Sequence, residues 1–190
     1  ALGELLHRQI APDSNRDVIG SGIAASPGAA SGQIVFTAEA ALACKSREEP
    51  CILVRRETSP EDIRGMYAAN AVLTERGGMT SHAAVIGRGM GVPCIVGASS
   101  IRFHIQKKQL LSGDGRIFEE GEMITVDGTN GQILAGQSKM VEASLEEPFR
   151  TLMQWAEEAC DIEIRANADT AADAQTARNF SARGIGLCRT

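Results

Sequence analysis

The chain has 190 residues, 43% of them hydrophobic, and a formal net charge of −5, with 19 Lys and Arg against 24 Asp and Glu. That length holds one large domain or two small ones, and the acidic balance argues against nucleic acid or an anionic membrane as partner, since each wants a basic face. No apolar run approaches the ~20 residues of a membrane span, and Glu4, His7 and Arg8 interrupt Leu2 to Ile10, which excludes a signal peptide.

Aromatic residues make up only 4%, so the core must come from Ala, Val, Ile, Leu and Met. Cys44, Cys51, Cys94, Cys160 and Cys188 are odd in number and form no Cys-x-x-Cys pair. They predict free thiols in a reducing compartment rather than a disulfide or zinc framework. His7 and His104 lack metal-ligand spacing to any cysteine or carboxylate, and no metal site is expected within this chain.

In chain order, residues 1–17 carry a short helical pattern broken by Ala11-Pro12-Asp13-Ser14-Asn15, which predicts a linker from something upstream. The start without Met suits an excised fragment. Val18 to Thr37 predicts strand, turn and strand, with Ser26-Pro27-Gly28 as the turn. A short helix is expected from Ala38 to about Arg47, then a buried strand from Cys51 to Arg55. Ser59-Pro60-Glu61-Asp62 is a helix start, with Ser59 as N-cap, Pro60 in the first helical position and acids in the first turn. That helix should run to about Ala69. Ala71 to Glu75 is the next strand, and it delivers the chain into Gly77-Gly78.

After those glycines, Met79, Ala83, Ile86 and Met90 recur at spacings that place them on one helix face. Thr80 or Ser81 is the N-cap, which puts His82 in the first turn, where free N–H groups and the helix dipole favour an anion. A neutral imidazole there is a nucleophile, and a phosphoryl group attached to it would sit among those N–H groups. The dipole contributes only about 0.3–1 kcal/mol at an exposed site, so direct hydrogen bonds must do most of the anion binding. Arg56 and Arg76 end the two preceding strands, and each is either a phosphate contact or a solvated charge. Strand, helix, strand, Gly-rich turn and helix is an α/β unit with its site at strand C-termini.

Val92 to Gly97 is the next strand, and Met123 to Asp127 with Gln132 to Ala135 predicts a hairpin across Gly128-Thr129-Asn130-Gly131. Residues 18–136 therefore read as one β-rich α/β domain, and residues 137–148 as a polar linker. Beyond it come a helix from Phe149 to Cys160, a strand from Ile162 to Asp169, a helix from Ala171 to Ala182 and a strand from Gly184. That is a βα repeat, of which a barrel would need many more.

Gly77-Gly78-Met79-Thr80-Ser81-His82-Ala83-Ala84-Val85-Ile86 resembles the phosphohistidine signature of the phosphoenolpyruvate-utilising enzymes. Its wording is most similar to the phosphate-dependent dikinase branch. The synthase branch and Enzyme I of the sugar phosphotransferase system usually carry Arg where this chain has Met79. Gly87 departs from the family, which commonly has Ala there, at a cost of about 1 kcal/mol to the helix. Gly22 to Gly32 resembles the opening of the same family's phosphohistidine domain. Ile164 to Asp169 and Gly184 to Thr190 resemble the first part of its phosphoenolpyruvate/pyruvate barrel.

The resemblance implies an α/β chain: a three-layer β/β/α swivelling domain over residues 18–136, then the first elements of an incomplete (β/α)8 barrel over 149–190. It implies that His82 carries a phosphoryl group between an ATP/phosphate site and a pyruvate/phosphoenolpyruvate site, with ATP, phosphate and pyruvate giving AMP, diphosphate and phosphoenolpyruvate. Gly78, Thr80 and Ser81 would surround the phosphate. Arg165 and Arg189 would bind substrate phosphate in the complete enzyme. Thr80 matches a threonine whose phosphorylation regulates plant members of the family. Mg²⁺ is the implied cofactor, with its ligands outside this chain, and a cytoplasmic homodimer is the implied setting. Cys188 does not match the family's acid/base cysteine, which lies further on.

Two other readings stay open. One is the water-dependent synthase reaction. The other is a non-catalytic phosphocarrier module, since these residues are not expected to turn over without flanking domains. A hydrolase pairing Ser81 with His82 is disfavoured, because neighbours at a helix start point apart and no Asp or Glu is placed to orient the imidazole.

Overall fold

The computed structural model describes residues 7–141, 147–160, 162–179 and 182–188. The chain divides into two units, residues 1–144 and 145–190.

The first unit opens with strands β1 (Gln9–Ile10), β2 (Val18–Ser21), β3 (Ile23–Ser26) and β4 (Ala29–Val35). Helix α1 (Ala38–Ser46) leads to β5 (Cys51–Arg55), then α2 (Ile63–Ala68), β6 (Ala71–Thr74), α3 (His82–Met90) and β7 (Cys94–Val96). Short strands β8 (Arg102–His104), β9 (Gln109–Leu111) and β10 (Ile117–Glu119) follow, then β11 (Met123–Asp127), β12 (Gln132–Ala135) and β13 (Met140–Val141).

Eight of these form one mixed sheet in the order β2-β12-β11-β4-β5-β6-β7-β3, with β4 to β7 parallel. Its two edge strands, β2 and β3, are separated in sequence by Gly22 alone. A flat sheet of that width would hold its edges about 34 Å apart, whereas the step across one residue spans at most about 7 Å. The sheet therefore curls until its edges meet. Gly22 occupies the seam, where its N–H donates to the Gly131 carbonyl at 2.9 Å. A Cβ there would lie 2.7 Å from Ile95 Cγ2 and 2.9 Å from the Val96 carbonyl, so no larger residue fits. The strand expected from Val18 onward is broken at this point.

Side chains alternate between two cores, as a period of two requires. Ile34, Phe36, Ile52, Val54, Leu73 and Ile95 join Ile124, Val126 and Ile133 on the inner face of the curl. The small antiparallel sheet β10-β9-β8 packs there through Phe103 and Leu110. Val35, Cys51, Leu53, Val72, Cys94 and Val96 face the other way, onto Ala41 and Cys44 of α1, Met66 of α2, and Ala83 and Ala84 of α3. Burial on both faces explains why β5 and β6 read as continuous apolar runs. The small sheet over residues 102–119 escaped the sequence reading, its strands being only three residues long.

Local signals turned into the expected elements. The Ser59 N–H donates to the Asp62 carboxylate at 2.9 Å, and a tight turn, Pro60–Asp62, opens α2. At the β11–β12 hairpin Asp127 accepts from the Asn130 N–H at 3.0 Å. Residues read as polar linker are partly pinned: β1 pairs antiparallel with β13, and Ile10 and Ala11 are buried.

In the second unit, α4 (Glu147–Ala159) precedes β14 (Arg165–Ala166), α5 (Ala171–Asn179) and β15 (Gly184–Ile185). The two strands pair in parallel on either side of α5 in sequence, a single βαβ unit. The long strand expected over Ile162 to Asp169 is reduced to two paired residues, because β15 alone hydrogen-bonds to it among the described residues.

Candidate functional site

The site is built on the turn between β6 and α3. Thr74, buried at the end of β6, donates its hydroxyl to the Arg76 carbonyl at 2.7 Å and starts the turn. Gly77 follows with φ of +115°, a conformation that side chains rarely adopt, and a Cβ there would stand 3.0 Å from Ser81. An added Cβ at Gly78 meets nothing within 4 Å, so packing does not demand glycine at that position.

Ser81 is the N-cap. Its backbone is extended (φ −65°, ψ 157°), and its hydroxyl accepts from the Ala84 N–H at 3.4 Å. Its own N–H donates to the Gly78 carbonyl at 2.9 Å. Thr80 lies outside the helix and is exposed. His82 is the first residue of α3, with its ring half-buried. Among the described residues, its Nδ1 is buried without a hydrogen-bond partner. A buried polar atom left unpaired costs about 1–3 kcal/mol and is seldom tolerated without a reason.

Helix α3 lies on the sheet through Ala83, Ala84 and Gly87, with Ile86 and Met90 packed beside them. Met79, expected on that face, precedes the N-cap and is 48% exposed. The departure at Gly87 has a packing explanation: a Cβ there would lie 2.9 Å from Cys94 Cβ, so the helix sits closer to β7 than alanine allows. Burial beneath the helix pushes the Cys94 thiol up to about 12, so it is an inert core residue.

Sequence reasoning missed Arg88. From the last turn of α3 its guanidinium reaches back, with Nη2 donating to the Met79 carbonyl at 2.8 Å and Nη1 to the Ala25 carbonyl at 3.2 Å. It ties the Gly77-Gly78 turn to its own helix and to β3. A cation in a last helical turn is a common dipole partner, and nothing local announces the long-range contact. Gly97 closes the other side, with its Cα so near the Gly77 carbonyl that a Cβ would stand 2.6 Å from it.

The strand-end arginines differ. The Arg76 N–H donates to the Arg56 carbonyl at 2.9 Å, which joins the two strand-end loops. The Arg76 side chain is exposed, while Arg56 Nε lies 3.9 Å from the buried carboxylate of Glu75. In the second unit Arg165 is exposed on β14, 3.4 Å from Glu163. Arg189 lies outside the described residues. Among the described residues no three His, Cys, Asp or Glu side chains come together to hold a metal ion. Nor is any described helix long and apolar enough to cross a membrane.

Comparison with known proteins places this arrangement. Residues 47–131 match the mobile domain of PEP-utilising enzymes, and residues 143–190 match the PEP-binding domain of the same enzymes. The chain belongs to the PEP-utilising enzymes, a family of phosphotransferases. Over its whole length it is 52% identical to pyruvate, phosphate dikinase of Rhizobium meliloti, 48% to pyruvate, phosphate dikinase 2 of Zea mays and 47% to pyruvate, phosphate dikinase of Clostridium symbiosum. It spans about a fifth of each relative, 21%, 22% and 22% respectively. A solution structure of Enzyme I is similar over 58% of this chain and 38% of that one, at 22% identity and a TM-score of 0.34, too low to define the fold.

Proposed function

We propose that His82 is the phosphoryl carrier of a pyruvate, phosphate dikinase. The observation that carries this is the imidazole itself: it opens α3 beside a Gly77-Gly78 turn, and its Nδ1 is sealed off while the ring is half-exposed. Nε2 is then the nitrogen left to react. It attacks ATP, AMP departs, and the histidine holds a pyrophosphoryl group. The terminal phosphoryl passes to inorganic phosphate as diphosphate, and the remaining one passes to the enol oxygen of pyruvate, giving phosphoenolpyruvate. The covalent intermediate splits one difficult exchange into easier ones.

This chain's residues hold the group rather than activate the donors. Bare backbone at Gly78 admits the phosphate, and the first-turn N–H groups of α3 receive its charge. Ser81 fixes the helix start, and Arg88 keeps the turn in register. Mg²⁺ supplies charge neutralisation at the nucleotide and pyruvate sites, with ligands outside this chain. Arg165 and Arg189 bind substrate phosphate in a complete (β/α)8 barrel that residues 149–190 begin. The three-layer body over 18–136 swivels between the two sites on linkers at 1–17 and 137–148, and the β1–β13 pair travels with it. The exposed Thr80 hydroxyl is the regulatory modification site, because a phosphate there repels the one arriving at His82. The complete enzyme works as a cytoplasmic homodimer.

The test is mass mapping of the complete enzyme after incubation with phosphoenolpyruvate and Mg²⁺. The expected result is one phosphoryl group on the His82 peptide, lost in acid, stable in base and discharged by pyruvate. An unmodified peptide in folded enzyme overturns the assignment. Dependence of turnover on inorganic phosphate separates the dikinase from the water-using synthase.

A further inference from the structure

Two of the buried cysteines touch. Cys44 stands in the last turn of α1, and Cys51 opens β5, the strand on which that helix packs. The Cys51 sulfur lies 4.0 Å from the Ala41 carbonyl, three residues before Cys44 and so on the same face of the helix. There it meets the Cys44 thiol in a side-chain hydrogen bond. Cys44 is 2% exposed and Cys51 0%, and the chemistry of the His82 turn uses neither. His82 belongs to the other ends of the strands: it follows β6, whereas Cys51 begins β5, and the two strands run parallel.

Both backbones are held independently of the sulfurs. The Cys44 carbonyl accepts from the Arg47 and Glu49 N–H groups, each at 3.0 Å, which folds the connecting turn back onto the helix end. The Cys51 N–H donates to the Asn70 side-chain oxygen at 3.0 Å, and its carbonyl accepts from the Asn70 N–H at 2.8 Å. Two groups kept in contact by a fixed frame react with each other at a high effective concentration. The way in from solvent is one side chain deep. Arg47, whose side chain is 56% exposed, places Nη2 3.8 Å from the Cys44 sulfur. A guanidinium there stabilises the charge that builds on a sulfur as it attacks an electrophile. Burial and the adjacent Cys44 push the Cys51 thiol up to about 12, so Cys44 is the sulfur that reacts first.

We propose that Cys44 and Cys51 are a peroxide-sensitive dithiol whose disulfide staples α1 to β5. The Cys44 sulfur attacks hydrogen peroxide, the O–O bond breaks, and a sulfenic acid forms as one water leaves. The Cys51 sulfur then attacks the sulfenic sulfur, the S–O bond breaks, and the departing hydroxyl takes the Cys51 proton as a second water. Two thiols and one peroxide give one disulfide and two waters, with two electrons passing from the sulfurs to the peroxide. A thiol reductant reverses the step. The cross-link restricts the unfolded chain more than the folded one, so it holds the first unit together in the presence of the oxidant. The inference does not depend on what His82 carries.

The test starts from the folded 190-residue chain with the exposed Cys160 and Cys188 blocked by N-ethylmaleimide and the excess removed. Hydrogen peroxide is added, and tryptic peptides are mapped without reductant. Trypsin cuts after Lys45 and Arg47, so only a disulfide keeps Cys44 and Cys51 together. The expected result is that one linked pair, two hydrogens lighter than its reduced peptides, with Cys94 still a free thiol. After equilibration with mixtures of reduced and oxidised glutathione, the disulfide should be at least tenfold harder to reduce in the folded chain than in urea, because a cross-link that favours the fold is favoured by it to the same degree. Cys44→Ala should abolish the link and leave Cys51 unpaired. Absence of the pair from the folded chain overturns the proposal, and so does a disulfide no harder to reduce when folded. Cys94 joined to either cysteine also overturns it, since that pairing marks oxidation through unfolding.

Discussion

The two units treat their apolar residues in opposite ways. In the first, Ile52, Leu53, Val54, Val72 and Leu73 are fully buried, half of each strand facing the inside of the curl and half facing the helices. In the second, Leu152, Trp155, Ile162, Ile164 and Leu187 are all 46% exposed or more, and Ala168 is the one buried apolar side chain described there. The cysteines divide the same way: Cys44, Cys51 and Cys94 are buried, Cys160 and Cys188 exposed. A lone βαβ unit has apolar faces that only further strands and helices can cover, whereas the curled sheet of the first unit has the small sheet against its inner face and three helices against its outer one. The first unit carries its own core; the second presents residues that ask for one.

Denaturation of matched variants tests this difference most severely. Leu53→Ala should cost about 2–5 kcal/mol, the range for emptying a fully buried leucine site, while Leu152→Ala in α4 should stay within about 0.5 kcal/mol. A large loss from Leu152→Ala would show that the second unit has a core after all. Next in size is the turn. Gly77→Ala forces a side chain into positive φ and should cost about 1–3 kcal/mol, whereas Gly78→Ala should leave stability unchanged and slow His82 phosphorylation in the complete enzyme. Equal stability losses at the two glycines would mean that Gly78 serves the fold rather than the ligand.

Arg88→Ala should follow at about 1–2 kcal/mol, from two hydrogen bonds to carbonyls, with a slower phosphorylation rate. Arg88→Lys should not restore that rate, because an ammonium lacks the planar fork whose two nitrogens serve the Met79 and Ala25 carbonyls separately.

The cysteines give the mildest probe. At pH 8 an alkylating reagent should label Cys160 and Cys188 in the native chain, and the other three only after unfolding. Burial raises the Cys51 and Cys94 thiols from 9.0 to about 12. The folded state therefore holds protons that the unfolded chain has released, and stability complete below about pH 9 should be lost as pH rises towards 12. A thermal melt unchanged between pH 8 and 10.5 would refute that burial.

Much of the site was legible before any coordinates. The helix start at His82, the Gly77-Gly78 turn, the acidic opening at Ser59 and the Asn130-Gly131 hairpin are each decided within a few residues of chain. The two candidates for N-cap could not be separated by type, since Thr80 and Ser81 carry the same hydroxyl; only the backbone shows that Ser81 precedes the first helical residue. Met79 misled because helical spacing continues past a helix end in sequence but not in space. The small sheet over 102–119 was missed for want of length.

What the sequence by itself determined is therefore local: the caps, the turns, the alternation that buries both faces of β5 and β6, and the block of residues around His82 that marks the family. What only the tertiary structure decided is which distant parts meet. Arg88 and Ala25 stand 63 residues apart, and Arg102 and Glu75 27 apart. Gly22 looks like any other glycine until β2 and β3 are found at opposite edges of one curled sheet. Capping and turn chemistry act over three or four residues and leave a mark in the pattern. Closure of a sheet depends on pairings across the whole chain, and no short stretch contains them.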